Sequence, residues 1–231
     1  MTMNAVLEDG MREQLAALHR RIDAGMPRAG WKICVNDARM QKRLGIDRSF
    51  VGFLDGARSL SSGETWRVGD GSIIGVEPEI AIRFAAAVPE RPRAQELLRA
   101  IAGVAPAIEI VDWKDAKFDL RSVAASSSFH AGFVTGELRP LADVPAIGEG
   151  CPIFRRGSEI LGVPDAALVP ADLVGLVAGV ATFLAGFGES IAAGDWLICG
   201  ACTNPGRVEA GDVVEADFAG LGRVHVEFAA D

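Results

Sequence analysis

Three acidic residues lie in apolar segments, where a buried carboxylate needs a partner. Glu77 and Glu79 are two residues apart in a strand-like segment, and Glu109 follows the apolar run Ala105–Ile108. In an extended strand, residues two apart point to one face, so the two like charges repel unless a cation or a proton neutralises them. Carboxylates without a nearby His or Cys suit a hard ion such as Mg²⁺ or Mn²⁺. A solvated strand edge for the pair, and an arginine or lysine partner for Glu109, are the alternatives.

Lys32 is a second candidate for chemistry. It lies in the apolar segment Gly30–Val35, where desolvation would lower the pKa of the ammonium and make it a usable acid or base. The alternative is a lysine whose side chain reaches solvent. The pair Cys199 and Cys202 has the spacing of redox and zinc sites, but it follows a strand-like segment and lacks a second ligand pair, which disfavours both.

The elements that must position these groups follow from the apolar spacing. The apolar residues near the amino terminus fall on one helical stripe: Leu7, Met11, Leu15, Leu18 and Ile22. Further helices are predicted over Ala38–Leu44, over Arg93–Val104 and from Leu173, after Pro170 and Asp172. Strands are predicted over Gly30–Val35, Val51–Leu54, Ser72–Ala87, Ala105–Trp113, His130–Thr135, Trp196–Cys199, Asp212–Phe218 and Arg223–Phe228.

This order of elements favours an α+β protein built on a mixed β-sheet or roll with peripheral helices, rather than a doubly wound parallel sheet. We expect an N-terminal helical arm over residues 1–29 and a single β-rich catalytic domain over residues 30–231. The 231 residues can bury a sizeable core without disulfides. No internal repeat or low-complexity linker divides the chain.

Composition excludes several classes of partner. The formal charge is −8 and the isoelectric point is about 5.0, so the chain is not expected to bind nucleic acid or an anionic membrane. The amino terminus lacks the apolar stretch of a secretory signal, and the apolar run Leu173–Phe187 is too short to span a membrane. Four cysteines (Cys34, Cys151, Cys199 and Cys202) are too sparse for a disulfide framework. We therefore expect a cytoplasmic protein that binds small molecules.

The motifs, taken in chain order, resemble those of the 2-keto-4-pentenoate hydratase family. In the first half they are Gly30-x-Lys32-Ile33, Gln41-x-x-Leu44-Gly45-Ile46-Asp47, Gly52-x-Leu54, Glu77-x-Glu79-Ile80-Ala81 and Pro106-Ala107-Ile108-Glu109-Ile110-Val111. In the second half they are Gly194-Asp195, Gly200-Ala201-Cys202-Thr203-x-Pro205, Ala210-Gly211-Asp212-Val213 and Gly220-Leu221-Gly222-x-Val224. Each motif is weak alone, but their shared order and spacing make the set specific.

The resemblance implies a fold and a site. The family belongs to the fumarylacetoacetate hydrolase superfamily, whose members form a mixed β-sheet roll and hold one Mg²⁺ or Mn²⁺. The family's metal ligands match Glu77, Glu79 and Glu109, and its catalytic lysine matches Lys32. The resemblance also implies a homo-oligomer, with no fixed number of subunits.

The chain departs from the family pattern around the expected substrate. The family's Asp-Asn pair falls on Ala125 and Ser126, and a further family acid falls on Ala57. Three other residues are candidate substrate contacts: Asp55, which would replace that acid if the loop is rearranged, Ser127, and Thr203, which matches a family residue beside the substrate. A turn threonine is the alternative for Thr203.

The expected activity is hydration of 2-hydroxypenta-2,4-dienoate or a similar 2-oxo acid through a metal-stabilised enolate. The same centre would serve an acylpyruvate hydrolase or a 2-oxo acid decarboxylase, and loss of the Asp-Asn pair leaves open a non-catalytic binder of 2-oxo acids. His130 is a candidate catalytic residue that would activate water, or else a packed and hydrogen-bonded histidine.

Overall fold

The structure, a computed structural model, describes residues 4–144, 152–162 and 165–231, and Cys151 lies outside them. The helices are α1 (Ala5–Asp23), α2 (Ala38–Leu44), α3 (Ala94–Ala100), α4 (Leu120–Ala125) and α5 (Leu173–Ala185). The strands are β1 (Arg28–Cys34), β2 (Phe50–Asp55), β3 (Ser59–Ser61), β4 (Thr65–Val68), β5 (Ile74–Phe84), β6 (Ile101–Asp112), β7 (His130–Thr135), β8 (Ile153–Arg156), β9 (Glu159–Gly162), β10 (Trp196–Ile198), β11 (Gly206–Val208), β12 (Val213–Phe218) and β13 (Gly222–Ala230). Within the described residues, short 3₁₀ helices cover Gly56–Arg58 and Leu141–Asp143.

The strands form two mixed sheets. The larger has the order β2-β1-β10-β5-β6-β7-β3, with β11 also paired to β5, and the smaller has the order β4-β13-β12-β8-β9. Strand β1 runs parallel to β10 and β3 runs parallel to β7, whereas β5, β6 and β7 pair antiparallel. The predicted α+β class with a mixed sheet is confirmed.

The larger sheet curls because its two ends are consecutive in the chain. Strands β2 and β3 lie at opposite ends of the sheet order, yet only the 3₁₀ turn Gly56–Arg58 separates them. Two hydrogen bonds join β2 to the turn before β7 and to its first residue: the Phe53 amide donates to Ser127 Oγ at 3.1 Å, and the Asp55 amide donates to His130 Nε2 at 3.1 Å. The sheet is therefore a roll, and its concave side can hold a site.

Helices cover this roll with apolar faces. Val177, Val180 and Leu184 of α5 are buried in the main core, while Met11 of α1 packs with Val123 of α4 in a smaller cluster. Helix α5 begins after the predicted Asp172, whose side chain accepts from the Gly175 amide. No helix in the described part of the chain is long and apolar enough to cross a membrane.

Several predicted boundaries are wrong. The helix predicted over Arg93–Val104 ends at Ala100, because the apolar residues from Ile101 onward pair with β5 instead. The strand predicted over Gly30–Val35 begins at Arg28, inside the expected arm, and ends at Cys34 because Val35 has a left-handed φ of 57°. The short strands β3, β4, β8, β9 and β11 were not predicted. Each carries too few residues for a clear alternation of apolar and polar side chains. The division into an arm and a domain remains a prediction.

Closure of the roll predicts an intolerant glycine. A Cβ added at Gly56 would lie 2.0 Å from the backbone oxygen of Pro27, so Gly56→Ala must displace the turn between β2 and β3. We expect it to lower the free energy of unfolding by about 1–3 kcal/mol, measured by chemical denaturation. The control is Gly69→Ala, whose added Cβ would lie 3.5 Å from Asp231 Oδ2, an ordinary contact distance. Equal stability of the two variants would contradict this account of the turn.

Candidate active site

The pairing of β5 with β6 brings the three predicted carboxylates together. Glu77 lies directly opposite Glu109, and Glu79 lies two residues further along the same face of β5. One ligand atom from each carboxylate lies within 4.8 Å of the others. Glu79 and Glu109 are each 1% exposed, and Glu77 is half-buried. A solvated strand edge is thus the wrong alternative for this pair.

Lys32 projects from β1 onto the same cluster. Its ammonium donates to Glu109 Oε1 and, at 3.2 Å, to the backbone oxygen of Ser127. Its partner across the strands is Gly52, where an added Cβ would lie 3.1 Å from Lys32 Cγ and 2.8 Å from Cys34 Sγ. The absence of a side chain at Gly52 makes room for the lysine stem. Lys32 is 2% exposed, so it does not reach solvent.

The pKa of Lys32 shifts in the direction opposite to the prediction. Burial acts most strongly and lowers it, but the charge of Glu109 together with those of Cys34, Glu79 and Glu77 outweighs burial and raises the pKa above its ordinary value. The expectation of a lowered pKa was wrong because the sequence does not show that Glu109 is the partner. The group is therefore an ammonium at neutral pH, which can donate a proton but not accept one, and the raised pKa makes it a weaker acid than an exposed lysine.

His130 orients the carboxylate of Glu109 through a hydrogen bond. Its Nε2 accepts from the Asp55 amide, so in the neutral ring the proton is on Nδ1, which donates to Glu109 Oε1 at 2.7 Å. Burial lowers the pKa of His130, which favours this neutral form. Among the described residues the cavity lining does not include His130. Both ring nitrogens are engaged, so the geometry is that of a positioning residue.

The pKa values of the carboxylates diverge according to their partners. Burial acts to raise the pKa of Glu109, but Lys32 and the hydrogen bond from His130 hold it below its usual value. Burial, reinforced by the charge of Glu109, raises the pKa of Glu77 to about 7. The same causes raise the pKa of Glu79 well above its usual value, although the Gly200 amide donates to its Oε2 at 2.7 Å.

This donor set fits a divalent cation. When ionised, the three carboxylates beside the single ammonium of Lys32 leave a formal charge of minus two. Glu77 makes no hydrogen bond or ion pair with the described residues, so its oxygens are available as ligands. Oxygen donors alone are the preferred ligands of Mg²⁺.

A left-handed turn supports the lysine. Ser127, Ser128 and Phe129 have φ values of 51°, 56° and 65° in succession. Such a conformation costs a non-glycine residue about 1–3 kcal/mol and persists only where the surroundings impose it. The turn aims the Ser127 carbonyl at Lys32 and brings Ser128 to the cavity wall. Nothing in the residue types of this stretch indicates three left-handed residues, so the turn could not be predicted from the sequence.

Of the three predicted substrate contacts, only Thr203 lines the cavity. The Asp55 carboxylate is 5% exposed, pairs with Arg21 and accepts from the Ala57 amide at 3.0 Å. The Ser127 hydroxyl is occupied by the Phe53 amide. The structure therefore brings neither Asp55 nor Ser127 to the described lining.

The cavity above the carboxylates has a volume of about 320 Å³, at the lower end of the range for small-molecule sites. Most of its wall could not be predicted from the sequence, because the residues that form it come from separate segments. They include Asn36, Asp37, Met40, Leu44, Val111, Trp113, Phe118, Ser128, Phe129, Leu168 and Asn204. Burial raises the pKa of the Cys199 thiol well above its usual value, which disfavours a reactive thiolate in the Cys-x-x-Cys segment.

No family model matches the chain. A 2-keto-4-pentenoate hydratase from Paraburkholderia xenovorans is 29% identical over 229 residues, which cover 96% of this chain and 84% of that protein. A 4-oxalocrotonate decarboxylase from Pseudomonas putida is 26% identical over 221 residues, which cover 90% and 80%. The solved structure of 4-oxalocrotonate decarboxylase from Pseudomonas putida G7, complexed with magnesium and adipate, matches with a TM-score of 0.85 and 25% identity over 96% of this chain and 86% of that chain.

These matches confirm the resemblance to 2-keto-4-pentenoate hydratases and the fold of the fumarylacetoacetate hydrolase superfamily. Related solved structures are complexed with magnesium, calcium or Mn²⁺, which is consistent with the expected divalent metal cofactor. The expectation of a metal-dependent lyase is confirmed as well.

The raised pKa of Glu77 predicts metal binding that depends on pH. Below about pH 7 this carboxyl is protonated in the metal-free protein, so an incoming cation must displace a proton. We expect Mg²⁺ affinity to fall by up to about tenfold per pH unit as the pH drops from 7 to 6. Calorimetry in buffers of different ionisation enthalpy measures both the affinity and the protons released. Affinity that stays constant between pH 6 and pH 8, with no proton release, would contradict the protonated state.

Proposed function

We propose that this chain is a Mg²⁺-dependent hydratase that acts on 2-hydroxypenta-2,4-dienoate or a similar 2-oxo acid. The observation that carries the proposal is the cluster of Glu77, Glu79 and Glu109 beside Lys32 at the base of a small cavity. The relatives named 2-keto-4-pentenoate hydratase support the choice of reaction.

In this proposal Glu77, Glu79 and Glu109 hold the metal. The convergence of their oxygens and the negative charge that Lys32 leaves uncompensated support this assignment. When bound, Mg²⁺ would supply positive charge that favours chelation of a 2-oxo acid by its carboxylate and 2-oxygen and stabilises the enolate form. His130 fixes the orientation of Glu109 through its Nδ1 proton.

Lys32 is proposed to move the tautomerising proton. Its ammonium would donate to C5 of the dienoate while the 2-hydroxyl gives its proton to a neighbouring carboxylate, which yields the conjugated 2-oxo-3-enoate. Return of that proton to Lys32 would restore the ammonium. Water then adds across C3 and C4, and the product is 4-hydroxy-2-oxopentanoate. The hydrogen bond that Lys32 donates to the Ser127 carbonyl would orient the ammonium for this transfer. The Thr203 hydroxyl, on the cavity wall, donates to the backbone oxygen of Asn204 at 2.8 Å, and it would have to turn from that oxygen to donate to the substrate carboxylate.

A decarboxylase is the second candidate. Relatives and a solved structure named 4-oxalocrotonate decarboxylase support it, because loss of carbon dioxide from a 2-oxo diacid also passes through a stabilised enolate. The same residues at the bottom of the cavity would serve both reactions, and the products distinguish the two reactions.

The first assay follows consumption of 2-hydroxypenta-2,4-dienoate with and without Mg²⁺, with product identification. We expect 4-hydroxy-2-oxopentanoate, and a loss of at least about a hundredfold in kcat/KM for Glu79→Gln because one metal ligand is neutralised. The control Glu137→Gln changes an exposed glutamate outside the cavity. Turnover of 4-oxalocrotonate alone would favour the decarboxylase, and cleavage of an acylpyruvate alone would favour a hydrolase. No turnover with Mg²⁺ bound would favour a binder of 2-oxo acids.

The role of Lys32 predicts a split between binding and turnover. Lys32→Gln removes the proton donor but no metal ligand, so we expect kcat to fall by about 10²–10⁴-fold while Mg²⁺ still binds, as calorimetry measures. Lys42→Gln, on the exposed side of α2, is the matched control. Unchanged kcat in Lys32→Gln would contradict the assignment.

A further inference from the structure

One side of the cavity is apolar from the carboxylates outward. Val111 lies two residues beyond Glu109 on the same face of β6. Trp113 follows, and its ring occupies the space that a side chain at Gly75 would fill, since a Cβ added there would lie 2.3 Å from the ring. The wall that begins at the metal ligands is therefore hydrocarbon and indole rather than polar.

Two aromatic rings continue this wall to the mouth. The rings of Phe118 and Phe129 meet edge to face with centroids 5.1 Å apart, and both line the cavity. Phe118 is 50% exposed, which places it at the opening. Met40 and Leu44 of α2 also line the cavity. A ligand that extends from the metal ligands along this wall would lay its far end against apolar groups.

Apart from Lys32, the described residues that line the cavity offer no cation to a second anionic group of a ligand. Lys32 is the only positively charged residue of this lining, and it is already paired with Glu109 at the base. Asp37, the only other acid of the described lining besides the glutamates, is negative and is held by Arg39. A second carboxylate on the ligand would lose hydration without an opposite charge in return.

We propose that the cavity selects 2-oxo acids whose far end is an uncharged apolar group and disfavours 2-oxo diacids of the same length. This inference rests on the proposed function, since it assumes that the 2-oxo acid end lies at the glutamates. Within that function it names the substrate class, and the specificity-determining residues are Val111, Trp113, Phe118 and Phe129. It also separates this chain from an enzyme built for a diacid.

The test compares two stable ligands that differ only at the far end, 2-oxohexanoate and 2-oxoadipate. Calorimetry with the full chain first measures Mg²⁺ alone and then each acid with Mg²⁺ saturating. We expect 2-oxohexanoate to bind at least about tenfold more tightly, because only the diacid must desolvate an unpaired carboxylate. Equal or tighter binding of 2-oxoadipate would overturn the inference and leave the proposed metal site intact. Failure of Mg²⁺ to bind would overturn the proposed function and this inference together.

Two variants test whether the apolar wall determines the preference between the two acids. Phe118→Arg places a cation at the mouth, on a half-exposed position that tolerates charge. We expect it to shift the affinity ratio toward 2-oxoadipate by at least about fivefold. Leu98→Arg, at an equally exposed site on α3 outside the cavity lining, should leave the ratio unchanged. An unchanged ratio in Phe118→Arg, or the same shift in Leu98→Arg, would overturn the assignment to this wall.

Discussion

The ion pair between Lys32 and Glu109 is the constraint on which the rest of the site depends. Strands β10 and β5 lie between the strands that carry the two residues. In a flat sheet this spacing would be about 14 Å, because each step between strands adds about 4.8 Å. The curl of the sheet shortens this separation on its concave side, and the curl follows from the short connection that joins its two ends. The connection that closes the roll therefore also helps to bring the charged side chains together.

Charge around this pair is distributed unequally among the glutamates. Glu109 accepts hydrogen bonds from both the Lys32 ammonium and the His130 ring, whereas the half-buried Glu77 and the buried Glu79 lie beside it with less compensation. A protein interior keeps such an imbalance only when a proton or a cation balances it. The cluster is stable when protonated and ready to exchange protons for a divalent ion, which is the behaviour expected of a metal centre rather than of a structural ion pair.

Much of the site could be predicted from local pattern, and the rest depends on distant partners. The period of two along β5 predicts that Glu77 and Glu79 share a face. The direction of the pKa shift of Lys32 could not be predicted, because its partner lies 77 residues away. The pairing of Asp55 with Arg21 depends likewise on how α1 docks against β2. Helix α3 was predicted too long because an apolar run suits a buried strand as well as a helix.

At the left-handed turn Ser127–Phe129, a change that relieves backbone strain would also loosen the position of Lys32. Each of its residues adopts a conformation that glycine adopts without strain, so a glycine here would relieve strain in the folded chain, although it would also add freedom to the unfolded one. The same exchange would loosen the carbonyl that holds the Lys32 ammonium in place. A chain selected only for thermal tolerance would be free to soften this turn, whereas one selected for turnover would keep it rigid.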